Sequence, residues 1–127
     1  QPHTNDMLQR LLEHGSAFRV FLRRRVSDEA QVDDLLQQSM IRAVQSHHSI
    51  RSNDSVVAWF YKILRHTLID YYRSKGTEAR RNDTFLKDLD RQLVVNYNEQ
   101  RTKITGFPGM KVGDIRVPNN NAGNWED

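Results

Sequence analysis

The 127-residue sequence contains no cysteine. This absence excludes disulfide bonds, thiol chemistry and any zinc site that depends on cysteine ligands. No apolar run approaches the length of a membrane span, and the N-terminus lacks the hydrophobic segment of a signal peptide. These absences predict a cytoplasmic protein. The chain begins with Gln1 instead of Met, so we expect that its N-terminus has been trimmed or processed.

Catalytic and metal-binding patterns are also missing. His47 and His48 are neighbours, so on a helix they would point in different directions, and no third metal ligand lies at a suitable spacing. Asp33, Asp34 and the histidines form no arrangement of nucleophile, base and orienting group that can be read from their spacing. We therefore expect no enzyme activity, no catalytic residues, no metal and no cofactor.

The composition is that of one globular domain, with 37% hydrophobic and 28% charged residues. The formal net charge of +3 favours an acidic partner, chiefly because the excess charge is concentrated. Residues 51–81 contain seven basic residues and three acidic ones. This clustering, more than the total charge, indicates a binding surface for an anion.

Residues 55–75 carry the strongest helical pattern, with Ser55 as the N-cap and Gly76 as the stop. One face is apolar and is expected to enter the core: Val56, Phe60, Ile63, Leu64, Thr67 and Tyr71. The opposite face is basic, with aromatic residues at its margins: Lys62, Arg65, Ile69 and Arg73, flanked by Tyr61, His66 and Tyr72. Such a face suits phosphates and bases, and a solvated charged surface is the alternative interpretation.

Three other segments have helical patterns. The first begins at Asn5 or Asp6, is interrupted at residues 14–16 and ends at Arg25. The second begins at Ser27 or Asp28 and ends near Ser46, and another covers residues 78–93. The sequence therefore predicts an all-α fold, a compact bundle of three main helices plus a shorter fourth, with an irregular C-terminal tail.

Two connecting segments differ in composition from the helices. Residues 47–54 form a polar connection that is longer than a tight turn between helices requires, which is typical of a functional loop. From residue 96 onward the sequence is rich in Gly, Pro and Asn, and favours a small hairpin around Gly113 or an irregular tail or linker. We therefore assign the helical domain to residues 1–95 and the tail to residues 96–127.

Two blocks of sequence resemble region 2 of bacterial sigma factors, specifically the extracytoplasmic-function (ECF) class. Residues 21–43, FLRRRVSDEAQVDDLLQQSMIRA, resemble the end of the first helix and the acidic second helix of that family. Residues 58–73, AWFYKILRHTLIDYYR, resemble its promoter-reading helix, with Trp59, Asp70 and Arg73 at the family's spacing. The resemblance implies a helical module of transcription initiation.

For the second helix, the resemblance implies docking onto the clamp-helix coiled coil of the largest subunit of core RNA polymerase. Four residues match the family's contact positions: Asp33, Asp34, Gln37 and Gln38. Helical periodicity independently turns Asp34, Gln37, Gln38 and Ile41 outward. An exposed Ile41 suggests a partner, although single exposed apolar residues are common. Gln38 replaces an acid that is usual in the family, which weakens the expected electrostatic contact. An anti-sigma factor is a further expected partner.

For DNA, the resemblance implies that the loop at residues 47–54 captures an unstacked base from the non-template strand of the minus-ten promoter element. The candidate contacts in this loop are Arg51, Ser52, Asn53 and Asp54. An amide offers a donor and an acceptor to a base edge, and arginine can pair with phosphate or stack on a base. On the following helix, the implied contacts to the duplex edge and backbone are Lys62, Arg65, His66 and Arg73. His66 stands where the family typically has Asn. Trp59 resembles a position near the melting fork, and a place in the core is the alternative.

The resemblance thus implies a promoter-recognition module that binds core RNA polymerase and reads and melts the minus-ten element. Nothing after Gly76 resembles region 4, the second DNA-binding domain of such sigma factors. Three explanations for this remain open: the chain is a fragment, its second domain was lost or not included, or it is an unusual family member. The alternative function is a regulatory decoy that binds polymerase or an anti-sigma factor without opening promoters.

Overall fold

A computed structural model of the chain describes residues 2–47, 56–75 and 83–101. These ranges form five helices: α1 (Pro2–Glu13), α2 (Gly15–Arg23), α3 (Glu29–Gln45), α4 (Val56–Ser74) and α5 (Asp83–Arg101). The predicted all-α fold is confirmed. None of the helices in residues 2–47, 56–75 and 83–101 combines the length and the hydrophobicity of a membrane span. The predicted cap at Ser55, the stop at Gly76 and the tail beyond Arg101 lie outside these ranges.

The interruption that the sequence predicts in its first helical segment divides α1 from α2. His14 leaves the α-helical conformation, with φ −106° and ψ 14°. Its carbonyl accepts from the amides of Ala17 and Phe18, which starts the next helix. Leu12 belongs to the apolar pattern of this segment, yet it is 67% exposed, whereas Leu11 is fully buried. Successive residues of a helix point about 100° apart, so packing that buries Leu11 can leave Leu12 facing outward.

The N-terminus of α3 is capped by Asp28, whose Oδ1 accepts a hydrogen bond of 3.0 Å from the amide of Ala30. This bond satisfies one of the amides that the first turn of a helix leaves without an intrahelical partner. The residues of α3 that become buried lie at helical spacing: Val32, Leu35, Ser39 and Ala43. Helical periodicity predicts these four residues and Leu36 as the inner stripe of α3, and Leu36 is partly buried against the core.

Aromatic rings of α2 and α4 form the centre of the core. The rings of Phe18 and Phe60 lie 4.5 Å apart, and Tyr61 meets Phe18 and Phe21 edge-on at 5.3 and 5.8 Å. Periodicity placed Tyr61 at the margin of the exposed face of α4, but it is fully buried. The prediction was wrong because α5 covers this flank of α4, where Tyr97 packs edge-on against Tyr61 at 5.9 Å.

Helix α5 is longer than the sequence suggested. It contains 19 residues, as many as α4, and continues through residue 96, where the sequence placed the start of a tail. Leu89, Leu93 and Tyr97 are fully buried at a spacing of four residues, and Asn96 is 2% exposed. This stripe extends the apolar face past Leu93, which explains why the helix does not end there.

Candidate nucleic-acid and polymerase interface

Helix α4 has buried contacts on two flanks and one outward surface between them. On one flank, Thr67 and Asp70 contact α3. On the other, Tyr61 and Arg65 contact α5. At about 100° per residue, a row of four residues runs along α4 between these flanks. We call them the α4 stripe: Lys62, His66, Ile69 and Arg73.

Arg65 is not part of the α4 stripe, although the sequence placed it on the same face as Lys62. Its Nε lies 2.6 Å from Oδ1 of Asp90, whose side chain is fully buried, and the Arg65 side chain is only 11% exposed. The helical wheel of α4 could not show this arrangement, because it depends on where α5 packs. The structure therefore gives Arg65 an ion pair within the fold, and a DNA contact by this residue stays a prediction without geometric support.

Trp59 is 6% exposed and belongs to the hydrophobic core. Of the two interpretations that the sequence allows for this residue, the core position is the one that the structure shows. A contact near the melting fork stays a prediction.

A polar network joins α4 to α3 beside the stripe. The hydroxyls of Ser39 and Thr67 are buried and lie 3.0 Å apart. Each also lies within hydrogen-bonding distance of a backbone carbonyl of its own helix, at 2.9 and 3.0 Å. Buried hydroxyls are tolerated when they are paired in this way. Sequence reasoning counted both residues in the core stripes but did not predict that they would bond to each other.

The network continues outward to Asp70, which sequence reasoning noted only for its spacing. Nη2 of Arg42 lies 2.6 Å from Oδ2 of Asp70, and Nη1 of Arg42 lies 3.4 Å from the hydroxyl of Thr67. Within α4, His66 and Arg73 lie 3.4 and 3.6 Å from the same carboxylate. Two residues of the α4 stripe are thus grouped with a cation from α3.

The outward face of α3 carries the residues predicted to bind polymerase. Asp33, Asp34, Gln37, Gln38 and Ile41 are all exposed, with Ile41 at 51%. Asp33 forms an ion pair with Arg19 of α2, and the amide of Gln38 donates to Asp34 at 2.7 Å. Both predicted acids thus make contacts within the chain while staying exposed to a partner. One residue that the sequence did not select joins this face, because Val44 follows Ile41 by three positions and is 40% exposed.

The arginine triplet at the end of α2 is divided between two neighbouring helices. Arg23 pairs with Glu29 of α3 at 2.9 Å. Arg24 donates to Asn96 at 3.2 Å, and Arg25 pairs with Asp88 at 2.9 Å, both on α5. These contacts attach α2 to its neighbours. The triplet therefore does more than complement the helix dipole.

The loop residues predicted to capture a base, Arg51, Ser52, Asn53 and Asp54, lie outside the described part of the chain. Their roles stay predictions. Val56, where α4 begins, is 2% exposed, so α4 lies in the core from its first residue.

Comparison with known proteins gives a family match that covers both surfaces. The Sigma-70 region 2 family matches residues 11–78, just over half of the chain. This segment contains the outward face of α3 and the α4 stripe, whereas α5 lies beyond it. No solved structure was found to match the chain.

Curated relatives agree with the family match. The chain is 38% identical over 61 residues to the ECF RNA polymerase sigma factor SigX of Bacillus subtilis (strain 168), a match that covers 48% of this chain and 31% of that protein. It is 30% identical over 88 residues to the RNA polymerase sigma factor SigV of the same organism, covering 57% of this chain and 53% of SigV. The chain thus spans about a third to a half of the length of these relatives. It belongs to the Sigma-70 region 2 family.

Proposed function

We propose that this chain is the promoter-recognition and polymerase-binding module of an alternative sigma factor. The outward face of α3 binds the clamp helices of core RNA polymerase. The α4 stripe and residues 47–54 hold the non-template strand of the minus-ten promoter element. One observation carries the proposal: the family-matched segment presents an acidic and apolar face on α3 and a separate basic stripe on α4, each on the outside of a shared core.

The polymerase-binding role of α3 rests on the chemistry of its outward face. Ile41 and Val44 are 51% and 40% exposed, and form an apolar pair on one side of the helix. Asp34 and Gln38 lie beside them and can contribute charge and hydrogen bonds. An apolar centre with a polar rim is the usual make-up of a protein interface. Because Ile41 contributes little to the core, its exposure is most easily understood through a partner.

The DNA-binding role of α4 rests on charge and position. Lys62 and Arg73 lie eleven residues apart on the same stripe, so they are separated by about 16 Å along the helix axis. Cations at this separation can contact phosphates several nucleotides apart on one strand. Ile69 lies between them and offers an apolar contact to a sugar or base. The stripe can therefore follow a strand of DNA without any change in the core.

Promoter melting on this module requires binding and no catalysis. Unstacking a base step costs about a few kcal/mol, which is offset when the extruded base is stacked or hydrogen-bonded and its phosphates are neutralised. In this mechanism the chain traps the open strand, and the polymerase performs the chemistry.

The proposal is tested by binding a fluorescently labelled form of the chain to purified bacterial core RNA polymerase, followed by single-stranded oligonucleotides with the minus-ten element. Core binding together with sequence-dependent capture of DNA is the expected result. Core binding with no DNA preference, unaffected by changes in Arg51, Asn53 and Lys62, would instead identify a regulatory decoy. Absence of core binding would overturn both functions.

A further inference from the structure

The carboxylate of Asp70 gathers three basic side chains from two helices. Arg42 approaches from the last turn of α3 at 2.6 Å, and His66 and Arg73 approach from α4 at 3.4 and 3.6 Å. One carboxylate can balance one positive charge. Because both arginines stay charged at any physiological pH, the two arginines and the one carboxylate leave the cluster with a net positive charge.

The cluster is open to a ligand. The side chains of Arg42 and Asp70 are each 34% exposed, that of His66 is 25% exposed and that of Arg73 is 47% exposed. Arg73 is the most exposed cation and the one farthest from the carboxylate, so an anion from solution can replace Asp70 at Arg73 at little cost. Arg42, in contrast, is held by both Asp70 and Thr67. These contacts use two of the five N–H donors of its guanidinium, and they fix its position for a further anion.

We propose that Arg42, His66 and Arg73 form a phosphate-binding site for the backbone of the captured DNA strand. This inference rests on the proposed function and adds a residue that neither the sequence nor the family resemblance selected. His66 and Arg73 are part of the α4 stripe, and Arg42 widens that stripe toward α3. The same helix that presents Asp34 and Ile41 to polymerase then also contacts DNA through its last turn.

Phosphate is the ligand that suits this chemistry. Guanidinium groups donate parallel N–H bonds to phosphate oxygens, and two arginines with an imidazole can surround one tetrahedral anion. A free phosphate or a phosphate of the DNA backbone would satisfy the same donors. The DNA backbone is favoured because His66 and Arg73 continue the row of basic side chains that begins at Lys62.

The test uses the full chain and a fluorescein-labelled single-stranded oligonucleotide that contains a minus-ten element. Fluorescence anisotropy gives the binding constant at several salt concentrations. We expect Arg42→Gln and Arg73→Gln each to lower the slope of log K against log salt by about 0.7, the loss of one phosphate contact on a single strand. At ~0.15 M salt this corresponds to roughly fourfold weaker binding.

Arg19→Gln is the matched control. Arg19 also forms an ion pair between helices, with Asp33, and its side chain is 36% exposed, close to the 34% of Arg42. Asp33 lies nine residues before Arg42 on α3, about 13 Å along the helix axis, so the control removes a charge away from the cluster. Its salt slope should equal that of the unmodified chain. Inorganic phosphate should compete with the oligonucleotide less in Arg42→Gln than in the unmodified chain.

Two results separate failure of this inference from failure of the proposed function. If Lys62→Gln lowers the slope but Arg42→Gln leaves it unchanged, the site at Asp70 is excluded while DNA binding by the α4 stripe stands. If the unmodified chain binds no oligonucleotide, with or without core polymerase, both are overturned.

A measurement on the unmodified chain tests the Arg42 contact even if the Arg42→Gln variant does not fold. In a ¹⁵N-labelled sample, the side-chain Nε–Hε signals of Arg42 and Arg73 should shift when the oligonucleotide is added, and that of Arg19 should not. A stationary Arg42 signal, alongside shifts elsewhere in the α4 stripe, would rule out its contact with DNA.

Discussion

Arg65 of α4 and Asp90 of α5 form an ion pair inside the fold, with 2.6 Å between Nε and Oδ1. Asp90 is fully buried, and the side chain of Arg65 is 11% exposed. Two charges are withdrawn from water here, which is costly unless they remain paired. The pair therefore ties α5 to α4 and separates Arg65 from the cations of the α4 stripe.

Breaking this ion pair should destabilise the fold strongly. Asp90→Ala leaves the Arg65 guanidinium buried without its carboxylate, so we expect the free energy of unfolding to fall by about 3 kcal/mol. Urea unfolding followed by circular dichroism measures this change. Asp33→Ala is the control, because Asp33 is 58% exposed and its pair with Arg19 should contribute no more than about 1 kcal/mol. Equal effects of the two substitutions would show that the buried pair has no special importance.

Helix α5 should contribute to the core through Tyr97. Tyr97→Ala removes a fully buried ring that packs against Tyr61, so we expect a loss of about 3 kcal/mol or more in the free energy of unfolding. Val95→Ala, two positions away, is the control because Val95 is 43% exposed, and it should change stability by less than about 0.5 kcal/mol. Thermal unfolding of both variants compares them directly. A Tyr97→Ala chain as stable as Val95→Ala would contradict the packing of α5 described above.

Burial of Tyr61 should make the fold sensitive to alkali. Burial raises the pKa of the Tyr61 hydroxyl above its ordinary value, since the ionised form would lose its hydration in the core. The pKa in the unfolded chain is about 10, so the stability that comes from keeping Tyr61 neutral is present below this pH and is lost as the pH rises above it. We expect the free energy of unfolding to fall between about pH 10 and pH 11, and Tyr61→Phe to reduce that fall.

The measurement is urea unfolding at several pH values, with the unmodified chain and Tyr61→Phe side by side. Other groups that titrate in this range contribute equally to both chains, so the difference in slope reports Tyr61. An identical decline in the free energy of unfolding of the two chains would mean that the fold does not raise the pKa of Tyr61.

A charge at Ile41 should weaken binding to polymerase without disturbing the fold. Ile41→Glu places a carboxylate at the centre of the apolar pair on α3, where a partner would have to desolvate it, so we expect at least tenfold weaker binding to core RNA polymerase. Thermal stability should change little, because Ile41 is 51% exposed.

Leu12→Glu on α1 is the control for this prediction. Leu12 is 67% exposed, so the substitution adds the same charge at another exposed apolar position. Its affinity for core polymerase should match that of the unmodified chain. Equal affinity of the Ile41→Glu chain and the unmodified chain would remove the outward face of α3 from the proposed interface.

Sequence periodicity was reliable where a helix has one inward direction. It predicted the buried stripe of α3 and the exposure of Asp34, Gln38 and Ile41, because a helix that packs on one side divides cleanly into an inner and an outer face. Val44 was not predicted although it lies one turn after Ile41, because it is not one of the family's contact positions. An apolar residue one turn after the exposed Ile41 was the sequence signal that could have placed Val44 on this face.

Periodicity was insufficient for α4, which is buried on two flanks. It correctly placed Phe60 and Leu64 in the core, but it could not show that α5 covers the flank of Tyr61 and Arg65. That information depends on contacts between residues far apart in the chain. Asp90 illustrates the difficulty, because a carboxylate is expected at the surface unless its buried partner is known. The grouping of Arg42 with Asp70 was hidden for the same reason.

We propose that one small bundle binds core polymerase and captures single-stranded promoter DNA. The most direct measurement is the anisotropy of a labelled single-stranded minus-ten oligonucleotide mixed with core RNA polymerase, with and without this chain. We predict a rise in anisotropy that requires the chain, depends on the oligonucleotide sequence and decreases with salt. Equal binding of minus-ten and scrambled oligonucleotides, or binding by polymerase alone that the chain does not increase, would contradict the claim.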